Sequence, residues 1–225
     1  MSCGCDAMTY QTERELVCQV GRLLYERGYA AANDGNISLR VGEGRLLMTP
    51  SGVSKGRMTP DMLVVTDLEG RVLEGTRHPS SEGKLHLEVY RMRTDVNAVV
   101  HAHPPVSTAF AVCRQGLEEP YLAEMVLGLG AVPCTPAFAM LSTEEVPESV
   151  RPYLAGHNAL LLANHGSLAW GGDLWEAFDR LETVEHTAKI VMNARTLGGA
   201  VPLTDVEVQR LKDLRGMYRT LKETK

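Results

Sequence analysis

The chain has 225 residues, of which 44% are hydrophobic, and a formal net charge of -5. This length can bury one substantial core, and no Pro-, Gly- or Ser-rich linker divides it, so we expect a single domain over residues 1–225 with residues 1–10 flexible. The mixed, mildly acidic charge argues against nucleic acid as a partner. The chain contains neither an apolar run of about 20 residues nor a signal-peptide core, which predicts a cytoplasmic protein without a membrane partner.

The first predicted elements are a helix and two β-hairpins. Thr12 followed by Glu15 is a capping-box pattern, apolar residues then recur at helical spacing, and Gly28 offers a C-terminal stop. After this helix, NISLRV and RLLMT flank a glycine-containing turn, and so do DMLVVTD and RVLEG. Both pairs are typical of β-hairpins.

A second helix is predicted from Gly83 to Arg93, with Ser81 near its cap and Glu82 at its start. The run AVVHAH that comes next is typical of a strand, and the two prolines after it cannot continue a ladder. His101 and His103 should therefore lie where this strand ends, with VSTAFAVC forming the next helix.

The second half of the chain contains further short apolar segments. AVPC and NALLLAN are predicted as buried strands, the latter ending just before His165, and SLAWGG as a return strand. Asp173 with Glu176 predicts the start of a long helix, and Thr204 with Glu207 the start of a last one. Central strands flanked by helices, without βαβ alternation, predict an α/β fold of three layers around a largely antiparallel or mixed sheet.

Three histidines have the placement of a metal site. In a strand, residues i and i+2 project to one face, so His101 and His103 can share an ion, and His165 at another strand end could be a third ligand. Three imidazoles leave one position open, as catalytic zinc requires, although manganese or cobalt would also suit nitrogen ligands. A lone H-x-H is more often structural. The flanking prolines and the polar N-H-G turn favour the metal interpretation here.

Glycines and hydroxyls gather in the first half of the chain, in DGNIS, TPSG and HPSSEG. Backbone N–H groups, serine hydroxyls and a helix N-terminus together suit a phosphate anion. Each segment alone would more often be an ordinary turn.

Taken in order, GNIS, TPSG, SSE, HAHPP and NHG resemble the class II aldolase/adducin family, and within it the L-fuculose-1-phosphate aldolase-like enzymes. The resemblance covers nearly the whole chain. It implies a three-layer α/β/α fold with a central, mainly antiparallel sheet. It also implies a homotetramer with active sites between subunits.

The resemblance also implies residue roles. His101, His103 and His165 would hold zinc, and Glu82 would be the catalytic acid/base, able to touch the metal in the free enzyme. Its partly buried, metal-proximal position should tune its pKa toward neutrality. The positions that match the family's phosphate-binding residues are Gly35, Asn36, Ser51, Gly52, Ser80 and Ser81.

Two tyrosines lie near positions where the fuculose enzymes carry catalytic ones. Tyr121 is near a loop tyrosine that a neighbouring subunit contributes, but one residue out of register, and Tyr218 aligns with a tyrosine of the C-terminal tail. Glu124 could act as an acid in place of Tyr121, or could be a solvated carboxylate.

The leading functional prediction is a zinc-dependent aldolase. It would reversibly cleave a ketose 1-phosphate, either fuculose 1-phosphate or a 5-deoxy- or 5-methylthio-pentulose 1-phosphate, to dihydroxyacetone phosphate and an aldehyde through a metal-stabilised enediolate. The alternatives of the same fold are a ribulose-phosphate 4-epimerase, a methylthioribulose-phosphate dehydratase and a sugar-acid phosphate decarboxylase. A non-catalytic, adducin-like interaction module is disfavoured by the intact histidine set.

Overall fold

The structure is a computed structural model that describes residues 9–223, with side chains described up to Leu214. Within these residues there are six α-helices: α1 (Gln11–Glu26), α2 (Gly83–Met92), α3 (Pro105–Val112), α4 (Glu145–Leu154), α5 (Leu174–Thr196) and α6 (Asp205–Glu223). The described part of the chain also contains seven strands: β1 (Asn36–Gly42), β2 (Arg45–Met48), β3 (Val64–Asp67), β4 (Val72–Glu74), β5 (Ala98–Ala102), β6 (Ala159–Leu162) and β7 (Gly166–Gly171). No described helix has the length and apolarity that a membrane crossing needs.

All seven strands form one sheet in the order β4-β3-β2-β1-β5-β7-β6, and every neighbouring pair is antiparallel. The two predicted hairpins are confirmed as β1–β2 and β3–β4. The central position of β5 matters for the site, because its ladder with β1 places Asn36 opposite His101.

Helices cover both faces of the sheet, which confirms the predicted three layers. One face packs against α1, α3 and α5, where Leu24 and Phe178 are fully buried with Val100 of β5. The opposite face packs against α2 and α4, where Leu85 and Trp170 lie in a second core cluster. Because strand side chains alternate between faces, β5 contributes to both cores and is almost completely shielded from solvent.

Helix starts show where local sequence signals succeed and fail. Asp173 accepts a hydrogen bond from the backbone N–H of Glu176, as predicted. Thr204 and Glu207 bond reciprocally, which confirms the second predicted cap. The predicted Thr12–Glu15 box is wrong, because α1 begins at Gln11 and the residue before it is Tyr10 in the left-handed region (φ 59°), two positions before Thr12.

The remaining local predictions have mixed outcomes. Glu82 directly precedes α2, as predicted, but no side chain caps this helix, and the Glu82 side chain points into the site described below. AVPC is not a strand but makes only isolated bridges. Helix α4 and a π-helical turn over Met125–Leu129 were not predicted, and α4 contains Pro147 and Pro152, which weaken a helical signal.

Candidate active site

The three histidines meet at one end of the central strands. His101 lies on β5, His103 immediately follows that strand, and His165 occupies the turn between β6 and β7. The Nε2 atoms of His101 and His103 are 3.1 Å apart, and one ligand nitrogen from each of the three lies within 4.8 Å of the others. The structure therefore brings together the predicted metal ligands. Among the described residues, this is the cluster with metal-site geometry.

The orientation of the rings fits a cation. His101 Nδ1 lies 2.9 Å from the carbonyl oxygen of Ser167 and donates to it, which leaves the Nε2 lone pair facing inward. His103 Nδ1 lies 3.4 Å from Asp34 Oδ2, so its Nε2 lone pair also faces inward. Burial lowers the pKa of both imidazoles, which favours their neutral, ligand form. Two lone pairs opposed at 3.1 Å repel unless a cation lies between them, so a divalent metal fits the residues present.

Glu82 closes the site from the start of α2. Its Oε1 lies 2.9 Å from His165 Nε2, and its Oε2 lies 3.6 Å from His101 Nε2. Burial alone would raise the pKa of Glu82, but the imidazoles of His101 and His165 and a hydrogen bond from Asn36 outweigh it and hold the pKa well below its usual range. The pKa of Glu82 is therefore lowered, whereas the sequence predicts that it is raised toward neutrality. The carboxylate is close enough to reach a shared metal ion.

Asn36 orients the Glu82 carboxylate. Its Nδ2 donates to Glu82 Oε2 at 2.7 Å, and its backbone pairs with that of His101 across the β1–β5 ladder. The sequence predicts Asn36 as a phosphate ligand. It can serve as one without leaving Glu82, because Nδ2 carries a second N–H that can donate to a phosphate oxygen, whereas Oδ1 is an acceptor and would repel one.

A cavity of about 280 Å³ opens beside the histidines. It is lined by all six positions predicted to bind phosphate, together with Glu82 and two of the histidines: Gly35, Asn36, Ser51, Gly52, Ser80, Ser81, Glu82, His103 and His165. Residues far apart in sequence meet here because the start of β1, the end of β2 and the start of α2 lie together, as the Ser38–Met48 pairing and the Asn36–Glu82 hydrogen bond show. This is a volume that suits a small sugar phosphate.

The backbone of the cavity wall limits which atoms can hold an anion. The N–H of Ser51 donates to the carbonyl of His78, and the N–H of Ser80 donates to the carbonyl of Thr49. At those two positions only the hydroxyl groups remain to bind a ligand. Gly35 has a left-handed φ of 74°, and a Cβ there would lie 2.8 Å from the carbonyl oxygen of His101, so a larger residue cannot replace it.

Tyr121, the predicted tyrosine whose side chain the structure describes, does not line this cavity within one chain. Tyr121 packs against the core face that holds α1, α3 and α5, and neither it nor the exposed Glu124 lines the cavity. The Tyr218 side chain lies outside the described residues. Sequence reasoning missed Asp34 and Lys55, which do line the cavity. Both lie within or next to glycine-containing motifs, but nothing in their spacing marked them.

Gly166 permits the histidines to converge. A Cβ at this position would lie 2.5 Å from His103 Cδ2 and 2.6 Å from the carbonyl oxygen of Ala102, both closer than packing allows. We expect Gly166→Ala to cost about 1–3 kcal/mol of unfolding free energy by overpacking and to weaken metal binding, since His103 must move. Chemical denaturation and a metal titration measure both effects. The matched control is Gly156→Ala, where a Cβ meets nothing within 4 Å. Equal stability and metal affinity in the two variants would contradict this prediction.

Comparison with known proteins identifies the family. The sequence profile described as "Class II Aldolase and Adducin N-terminal domain" matches residues 15–192. The chain belongs to this family. Its three-layer fold agrees with that of a solved L-fuculose 1-phosphate aldolase, with a TM-score of 0.84, 32% identity and coverage of 92% of this chain and 97% of the other.

Two relatives of this chain differ in the reaction that their names give. A 3-oxo-tetronate 4-phosphate decarboxylase of Haemophilus influenzae is 38% identical over 92% of this chain and 99% of its own length. A 5-deoxy-D-ribulose 1-phosphate aldolase of Bacillus thuringiensis is 32% identical over 91% of this chain and 95% of its own length. Both names specify phosphorylated sugar derivatives, which agrees with the substrate class that the motifs predict.

Proposed function

We propose that the chain is a metal-dependent decarboxylase of a phosphorylated 3-oxo sugar acid, of the 3-oxo-tetronate 4-phosphate type. The observation that carries this proposal is the 38% identity with such a decarboxylase along 99% of that protein's length. Two decarboxylases of the same name from Escherichia coli strains, at 35% and 34% identity, support it further. The sequence motifs alone led to aldol cleavage, with sugar-acid decarboxylation as an alternative; the relatives favour the alternative.

The chemistry suits the site. In a 3-oxo acid the carboxylate is attached to the carbon beside the ketone. When the carbon–carbon bond breaks, carbon dioxide leaves and the electron pair moves onto the ketone oxygen, forming an enediolate. One proton then adds to carbon, and a four-carbon acid phosphate becomes dihydroxyacetone phosphate. A divalent metal held by the three histidines would supply a Lewis acid beside the ketone oxygen.

The chain's own residues would have two roles in this reaction. Glu82, 2.9 Å from His165 and held by Asn36, would take up a proton from solvent and pass it to the substrate carbon. The hydroxyls of Ser51, Ser80 and Ser81 would bind the phosphate and so fix the distance from the phosphate to the reacting carbon.

Aldol cleavage of a 5-deoxypentulose 1-phosphate is the second candidate, favoured by the 32% identity with the Bacillus thuringiensis aldolase. Breaking the bond between carbons 3 and 4 of that sugar leaves the same three-carbon enediolate, with acetaldehyde as the other product. The two reactions therefore demand the same electron sink and phosphate anchor. They differ in whether the departing group is carbon dioxide or an aldehyde.

A product assay tests the proposal. The purified, metal-loaded protein is incubated separately with 3-oxo-tetronate 4-phosphate and 5-deoxyribulose 1-phosphate, and dihydroxyacetone phosphate, carbon dioxide and acetaldehyde are measured. We expect dihydroxyacetone phosphate and carbon dioxide in equal amounts from the first compound, at a kcat/KM at least tenfold above that for the second. Faster release of acetaldehyde from the second compound would overturn the decarboxylase in favour of the aldolase.

Four properties complete the proposal. We propose zinc as the physiological ion, since three imidazoles with one open position are typical of catalytic zinc. We also propose a single domain over residues 1–225, a homotetramer whose subunits share active sites, and a cytoplasmic location. Metal analysis of the purified protein tests the first, and light scattering of the same sample tests the tetramer.

A further inference from the structure

Lys55 is a buried lysine in the wall of the active-site cavity. It begins a short 3-10 turn, Lys55–Arg57, that packs against α1, and the residue is 2% exposed. Lysine is rarely buried, because removing an ammonium group from water is costly unless something compensates the charge. A buried lysine that faces a cavity therefore requires a physical reason.

The contacts of Lys55 hold its ammonium between two loops of the cavity. Nζ donates to the carbonyl oxygen of Val53 at 2.7 Å and to that of Asn33 at 3.1 Å. An ammonium has three N–H donors, so these two bonds leave one for a ligand. Gly35 and Gly52, two predicted phosphate-binding positions, lie within three residues of these carbonyls and line the same cavity.

The charge of Lys55 is only partly compensated within the described part of the chain, where no carboxylate lies within ion-pair distance of Nζ. Burial lowers the pKa of Lys55 to about 8, against the opposing influence of Asp34 and Glu82. The ammonium is thus still mainly charged at neutral pH. Among the described residues that line the cavity, Lys55 is the only lysine or arginine, whereas Asp34 and Glu82 are acidic.

An anionic ligand in the cavity would compensate the buried positive charge of Lys55. A phosphate dianion entering the cavity would otherwise meet two carboxylates, and hydroxyl and glycine N–H donors carry no net charge. We propose that Lys55 is a binding residue that donates its third N–H to the substrate's phosphate and supplies the positive charge of the phosphate cradle. This inference rests on the proposed function only in assuming a phosphorylated substrate; it holds equally for decarboxylation and aldol cleavage.

The test uses inorganic phosphate as the probe and the metal-loaded full-length protein. Phosphate affinity is measured by calorimetry for the wild type, for Lys55→Met, which keeps the length but not the charge, and for the matched control Lys84→Met. Lys84 is exposed and pairs with Glu144, away from the cavity wall. We expect Lys55→Met to weaken phosphate binding about ten- to a hundredfold, the range for a lost hydrogen bond to a charged group, and Lys84→Met to bind as the wild type does.

The results separate the two proposals. Unchanged phosphate affinity in Lys55→Met, with its metal still bound, would overturn the role of Lys55 and leave the proposed function intact. Absence of phosphate binding to the wild type would overturn both the role of Lys55 and the phosphate cradle. Should Lys55→Met fail to fold, Lys55→Gln replaces it, because its amide can still donate to a carbonyl.

In the wild type, saturating phosphate should also slow acylation of Lys55, read by mass spectrometry; equal rates with and without phosphate would contradict the proposal.

Discussion

Replacing Glu82 with glutamine is expected to lower kcat about 10²–10⁴-fold while leaving metal binding intact. The amide has the size of the carboxylate and can still accept the hydrogen bond from Asn36 Nδ2, so the wall of the site keeps its shape. It cannot take up and return a proton. Steady-state kinetics with 3-oxo-tetronate 4-phosphate and metal analysis of the same preparation measure both parts of the prediction.

The control for this variant is Glu144→Gln. It removes the same charge from an exposed carboxylate that pairs with Lys84, and it should keep full activity. Loss of metal from Glu82→Gln would mean that Glu82 acts mainly as a ligand. Full activity in Glu82→Gln would show that the proton comes from another group, and the proposed mechanism would be wrong.

Replacing His103 with alanine is expected to reduce metal affinity more than about 100-fold, beyond the effect typical of residues that only support a ligand. Activity should fall in parallel with metal occupancy. His103 is the better choice than His101 for this test. Its side chain is 25% exposed, so truncation lets water fill the space, whereas the His101 side chain is 0% exposed and supports the core. The measurement is a competitive titration of the metal-free protein with zinc.

His157→Ala is the matched control. His157 bonds through Nδ1 to the carbonyl oxygen of Tyr153 in α4 and takes no part in the histidine cluster. Its loss should leave zinc affinity unchanged. Stoichiometric, tight zinc binding by His103→Ala would rule out the three-histidine site as the metal centre.

Local patterns were sufficient where the physical cause is local. Side-chain alternation along β5 predicted that His101 and His103 would share a face, and the caps at Asp173 and Thr204 are set by bonds within four residues. The hairpins followed from their turn residues. Helix α4 was missed because burial of Val150 and Leu154 against the sheet, which its sequence does not reveal, outweighs the cost of its prolines.

The sequence by itself determined the family, the antiparallel three-layer fold and the residue types of the site, because five short motifs occur in one order. Only the tertiary structure decided how those residues contact one another. The β1–β5 register put Asn36 opposite His101 and aimed its amide at Glu82, and chain packing buried Lys55 in the cavity wall. The contacts of Asn36 with Glu82 and of Lys55 with Asn33 join residues more than 20 positions apart, so they depend on how strands and loops meet, which no local spacing encodes.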